Sequence, residues 1–84
     1  GDSMSPKIES GDKLLVRLQP SVDSGDYAVV IIDGEDGVVK KVCYSDDRIE
    51  LISENPYYPP RVFEGSDVTR IQIVGLVRRV IREL

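Results

Sequence analysis

Apolar residues in this chain come in short runs dense in valine and isoleucine, each closed by a cluster of turn-forming residues. Lys13–Leu18 (KLLVRL), Tyr27–Ile32 (YAVVII), Val38–Cys43 (VVKKVC), Arg48–Ser53 (RIELIS) and Ile71–Arg82 (IQIVGLVRRVIR) are these runs. β-Branched side chains pack well on a pleated surface, so short runs of this kind bounded by Gly, Asp and Ser read as strands. A mostly β domain is expected. Between the runs lie Gly11-Asp12, Ser24-Gly25-Asp26, Asp33–Gly37 and Ser45-Asp46-Asp47, all good turn formers. The segment IIDGEDGVV reads as a hairpin, which makes the second and third strands antiparallel neighbours. ESGD and DSGD each precede a strand and read as one turn chemistry used twice. Glu54–Pro60 (ENPYYPP) holds three prolines, which remove donors and restrict their predecessors, so it reads as a structured loop. The last run fits either a long strand interrupted at Gly75 or a strand that turns into a short helix.

Composition narrows the function. With 84 residues the chain is expected to form a single domain, 1–84, whose small core would gain from a partner subunit. Eleven basic against fifteen acidic residues give a net charge of −4, which supplies no attraction to nucleic acid or to an anionic membrane. No apolar stretch reaches the roughly 18–20 residues of a membrane span. Cys43 is the only cysteine, which fits a reducing compartment and excludes an internal disulfide. The chain has no histidine, which removes the Ser-His-Asp triad, the Cys-His dyad and the usual nitrogen-ligated zinc site together. No metal or other cofactor is expected.

Acid–base chemistry near neutral pH without histidine falls to a carboxylate, a tyrosine or a lysine. VVKKV sets Lys40 and Lys41 in a strand whose neighbours Val38, Val39, Val42 and Cys43 are apolar on both faces, so one lysine points to a side that looks buried. Burial disfavours the ammonium, and a lysine moved from about 10.4 to about 7 has lost roughly 4–5 kcal/mol of preference for its proton. Such an amine is a base. Beside a serine hydroxyl it forms a Ser-Lys pair, which activates a nucleophile without histidine. Alternation alone does not choose between the two lysines, since Val38 and Val42 flank one and Val39 and Cys43 the other. Ser3, in GDSMSPKIESGD, reads on its own as a cap or turn residue. Pro6 works against an ordinary helix through Ser5, so the serine is expected on a tight turn that exposes its hydroxyl.

Together, GDSMSPKIESGDKLLV, VVKKV, ISENPYYPP and IVGLVRRVIR, in this order and at these separations, resemble the C-terminal peptidase domain of LexA-like and phage-type repressors. The resemblance covers nearly the whole chain. It implies an all-β fold of small, strongly curved, mostly antiparallel sheets of the β-clip type. It also implies that Ser3 is the nucleophile and Lys40 the general base, with Lys41 on the opposite face as a solvated charge at a strand edge. Ser3 would attack a peptide carbonyl after giving its proton to neutral Lys40, and backbone N–H groups at Ser3 and Asp2 would hold the oxyanion. Gly11-Asp12 would shape a turn beside the site, and Ser53-Glu54-Asn55 would brace a loop or a substrate strand.

The resemblance further implies a cytoplasmic homodimer formed through the exposed strand that begins at Ile71. The substrate would be the protein's own linker peptide, cut at an Ala-Gly or Cys-Gly bond, with a RecA filament on single-stranded DNA as the trigger. DNA would be bound only through an N-terminal domain. Neither dipeptide occurs here, so this chain is expected to carry the cutting machinery without the bond to be cut and not to cleave itself in cis. The alternatives are a non-cleaving dimerisation module of a phage-type repressor and a signal peptidase-like enzyme. The latter shares the Ser-Met and Lys-basic motifs but needs a membrane anchor and a Gly-Asp-Asn segment, where this sequence has GSDVTR.

Overall fold

A computed structural model describes residues 2–84; Gly1, which opens the GDSM motif, lies outside the described residues. The strands are β1 (Lys13–Leu18), β2 (Asp26–Ile32), β3 (Gly37–Ser45), β4 (Arg48–Ile52), β5 (Arg61–Glu64) and β6 (Ile71–Ile81), with a short 3₁₀ helix at Gly65–Arg70. They form one sheet in the order β1-β6-β2-β3-β4-β5, and every pairing is antiparallel. The all-β expectation is borne out, in a single six-stranded sheet.

Local chemistry sets the turns. In ESGD the Asp12 N–H reaches the Glu9 carbonyl at 3.0 Å, while the Asp12 carboxylate accepts from the Glu9 N–H at 2.8 Å. DSGD repeats the pattern, with Asp26 N–H on the Asp23 carbonyl at 3.1 Å and Asp23 N–H on the Asp26 carboxylate at 2.9 Å. Gly11 and Gly25 stand at φ 90° and 95°, a backbone that only glycine adopts without strain. The expected reuse of one turn is therefore real. The β2–β3 hairpin turns at Asp33-Gly34, closed by the Glu35 N–H on the Ile32 carbonyl at 3.1 Å. Arg70 clamps that turn with two hydrogen bonds to the Asp33 carboxylate, both 2.8 Å.

Three features differ from the sequence reading. First, β5 is a strand the pattern did not reveal. Second, β6 runs unbroken through Gly75, and its register shifts once against β1, between Leu15 and Val16, and once against β2, between Val29 and Val30. Each shift is a bulge, which bends and twists a strand, and together they explain why the run suited two periods. Third, β6 is not a sheet edge. It pairs with β2 over Ile71–Leu76 and with β1 over Gly75–Ile81, so β1 and β5 are the edges.

The core lies on one face of the sheet and is formed by Val22, Ala28, Val30, Val42, Leu51 and Phe63. Ile32, Ile49, Val68, Ile71, Ile73 and Leu76 pack around it. Asp12 also closes the β1–β6 end, where two hydrogen bonds from Arg82, 2.8 and 2.6 Å, meet its carboxylate. Its side chain is only 2% exposed, and the Arg82 guanidinium is the main cause that lowers its acid to about 2.

Candidate active site

Ser3 sits in a turn, not in a helix. The Ser5 N–H meets the Asp2 carbonyl at 3.0 Å, which closes four residues with Ser3 in second place, and the Ile8 N–H meets the Met4 carbonyl at 2.9 Å. The Glu54–Pro60 loop holds this turn from the far side. The Asn55 N–H donates to the Ser3 carbonyl at 2.9 Å, and Asn55 Nδ2 donates to the Asp2 carbonyl at 3.1 Å. Asn55 is itself fixed, since its Oδ1 accepts from the Tyr57 N–H at 3.0 Å and its carbonyl from the Tyr58 N–H at 3.1 Å. The Tyr58 hydroxyl donates to the Asp2 carboxylate, and that bond pushes the phenol up from its ordinary range. Two carbonyls of the serine turn are thereby anchored to a proline-stiffened loop.

Lys40 comes from the middle of β3, directly opposite Ala28. Strand alternation puts it on the face of Val38 and Val42, and Val42 is fully buried. Its Nζ donates to Ser3 Oγ at 2.9 Å and to Ser53 Oγ at 2.8 Å. Burial, and after it the charge of Arg61, hold the Lys40 ammonium below the usual lysine range. Among the described residues the ion pairs involve Lys13, Arg70 and Arg82, so no carboxylate offsets the desolvation of Lys40. An amine in this position loses its proton more readily than one in water, and it then accepts the proton of a hydroxyl at hydrogen-bond distance.

Lys41 lies opposite Tyr27 and Ile52, half-buried on an inner strand between β2 and β4, which corrects the expected solvated edge charge. Beside Ser3 is an open cleft of about 210 Å³, lined by Met4, Ile8, Glu9, Ser10, Val38 and Val39. Met4 is 5% exposed and forms part of its wall, so it serves packing and cleft at once. Gly11-Asp12 stays outside the pair and serves the turn described above. Glu54 accepts from the Tyr27 hydroxyl, over whose ring Lys7 Nζ stands 4.5 Å from the centroid. The Ser53 hydroxyl, the Tyr58–Asp2 bond and the influence of Arg61 were not readable from spacing. Each depends on the strand register that brings β4, β5 and their connecting loop beside β3. The Ser-Lys pattern itself did have a signal, in a strand lysine among apolar neighbours.

Comparison with known proteins gives a consistent picture. A family model described as Peptidase S24-like matches residues 1–78. A LexA repressor of Citrifermentans bemidjiense is 39% identical over 85 aligned residues, covering 100% of this chain and 41% of the relative. A LexA repressor of Anaeromyxobacter sp. is 38% identical, with 100% of this chain and 36% of the relative covered. An uncharacterized HTH-type transcriptional regulator of Haemophilus influenzae is 38% identical over 78 residues, with coverage of 92% and 33%. The chain thus spans roughly two fifths or less of the length of these relatives.

Proposed function

Because the chain belongs to the Peptidase S24-like family, we propose that it is the serine peptidase and dimerisation domain of a self-cleaving transcriptional repressor. The observation that carries the reading is the Lys40 amine, half-buried, without a carboxylate partner and 2.9 Å from the Ser3 hydroxyl. Ser3 gives its proton to neutral Lys40 as Oγ attacks the peptide carbonyl carbon. The tetrahedral oxyanion is held by backbone N–H groups at the serine turn. The C–N bond then breaks, the Lys40 ammonium protonates the departing amine, and the acyl group remains on Ser3. Water, deprotonated by Lys40, releases it. The cleft beside Ser3 accepts the small side chain that precedes the scissile bond, as an Ala-Gly linker would present.

The substrate is the protein's own linker. The names of the relatives, and the more than half of their length outside this match, support a separate DNA-binding region. The net charge of −4 here agrees with DNA contact lying elsewhere. Dimerisation is assigned to edge strand β1 with the Val77–Ile81 half of β6, and a RecA filament as trigger follows from the motif resemblance alone.

Mixed at about pH 9–10 with a peptide spanning an Ala-Gly linker, the chain is expected to cut it slowly, with Ser3→Ala and Lys40→Ala each abolishing cleavage. Cleavage that survives Lys40→Ala removes Lys40 as the base. A peptide left intact by the wild-type chain returns the domain to a dimerisation role alone.

A further inference from the structure

Ser53 is the second hydroxyl on the Lys40 amine. Its Oγ lies 2.8 Å from Nζ, against 2.9 Å for the Ser3 Oγ. It sits just past the end of β4, where the pairing of Lys41 with Ile52 brings the chain alongside β3. A neutral amine has two N–H groups and one lone pair, and it acts on Ser3 only when the lone pair points there. A hydroxyl fixed on a second side of the nitrogen takes one N–H and restrains rotation about Cε–Nζ.

We infer that Ser53 is a positioning residue for the Ser3–Lys40 pair: it accepts an N–H of Lys40, turns the lone pair toward Ser3, and then shares the charge of the ammonium that proton transfer creates. The inference rests on the peptidase reading above and adds to it a residue that otherwise only braces a loop. The first role lowers the disorder of the reactive arrangement. The second stabilises charge that appears as the bond forms, and hydrogen bonds to charged groups are the strong ones. Other groups facing the amine are few. Arg61 from β5 repels the ammonium, and the Tyr58 ring stands 5.9 Å away, its hydroxyl held by Asp2. From β2 comes the apolar Ala28, while the neighbouring Tyr27 hydroxyl is held by Glu54.

The two consequences of removing Ser53 separate this role from a structural one. Ser53→Ala deletes an acceptor of the ammonium, so the amine form is favoured and the pH midpoint of Ser3 reactivity moves down. The plateau rate at high pH falls at the same time, by about tenfold, the effect of one lost hydrogen bond to a charged group. A mere loosening of the loop would instead hydrate Lys40 and move the midpoint up.

The test is the rate at which a fluorophosphonate modifies Ser3, followed by intact mass from about pH 6 to 11, which needs no knowledge of the scissile sequence. Ser53→Ala is expected to lower both midpoint and plateau, and Ser53→Thr, which keeps a hydroxyl, to restore most of the plateau. Labelling unaffected by Lys40→Ala sinks the pair itself and the inference with it. Labelling lost in Lys40→Ala but unchanged in Ser53→Ala sinks only the role of Ser53, as does a midpoint that moves up.

Discussion

At the scale of single residues, one positive neighbour helps to set the pH at which the Lys40 amine loses its proton. Burial is the larger cause of its lowered affinity for a proton, and Arg61 is the second. Arg61→Gln leaves both hydroxyls beside the amine and removes the repulsion, together with the guanidinium's contact over the Phe63 ring, so the ammonium is favoured. The pH–rate midpoint for peptide cleavage is expected to move up, with slower cleavage below the midpoint and an unchanged plateau above it. A midpoint that stays put would mean that solvent screens the guanidinium from the amine. Stability carries the same sign. Between the folded and the unfolded affinity of Lys40 the unfolded chain binds more protons, so stability rises with pH across that window, and Arg61→Gln narrows it. A chain without histidine has few bases, which points to Lys40 and Lys41 among their valines, but the choice of Lys40 and of Ser3 rests on the motif resemblance, since alternation does not separate the two lysines. Arg61 could not be singled out at all, since its place depends on the pairing of Leu51 with Arg61 across β4 and β5.

Elements were legible where the alternation of side chains is long enough to register. β1 through β4 follow the apolar runs closely, because each has several β-branched residues between turns that Gly and Asp dictate. β5 is four residues long and follows Pro59-Pro60, and only Phe63 within it is buried, so no period exists to be seen. β6 hides its nature differently, through two bulges that break the alternation. Between those bulges lies Gly75, paired with Leu18 on one side and Val29 on the other. A methyl group there would come within 2.5 Å of the Arg17 carbonyl oxygen and 2.7 Å of Val16 Cγ1. The first neighbour is backbone and cannot swing aside. Gly75→Ala is therefore expected to destabilise the fold by about 1–3 kcal/mol, the usual cost of overpacking, or more if β1 detaches. Denaturant unfolding reads this directly, and an unchanged midpoint would show that β1 has room to slide.

As a whole, the molecule is a thin, elongated sheet, with extents of 44 × 29 × 22 Å. Its apolar surface is unevenly spread. Leu15 and Leu18 on β1 are 51% and 78% exposed, and Val80 and Ile81 on the paired half of β6 are 37% and 48% exposed. β1 is also a sheet edge, whose outer backbone groups have no strand beside them. A twofold contact between two such ends would cover the leucines of both chains and pair the open backbone in one step. This is the physical case for the proposed dimer, now resting on β1 with β6 behind it. Replacing Leu15 and Leu18 together by Lys should cost the isolated fold little, because both side chains already face water, while two charges on each edge oppose close approach of a second copy. In sedimentation velocity at micromolar concentration the wild-type chain is expected to run as a dimer and the double variant as a monomer with the same far-ultraviolet dichroism. Lys40, whose amine meets the Ser3 hydroxyl, lies on β3, three strands away in the order β1-β6-β2-β3, or about 14 Å at the usual strand spacing. Fluorophosphonate labelling of Ser3 should therefore persist in the monomeric variant. A wild-type monomer, or a double variant that still dimerises, would take the contact away from β1.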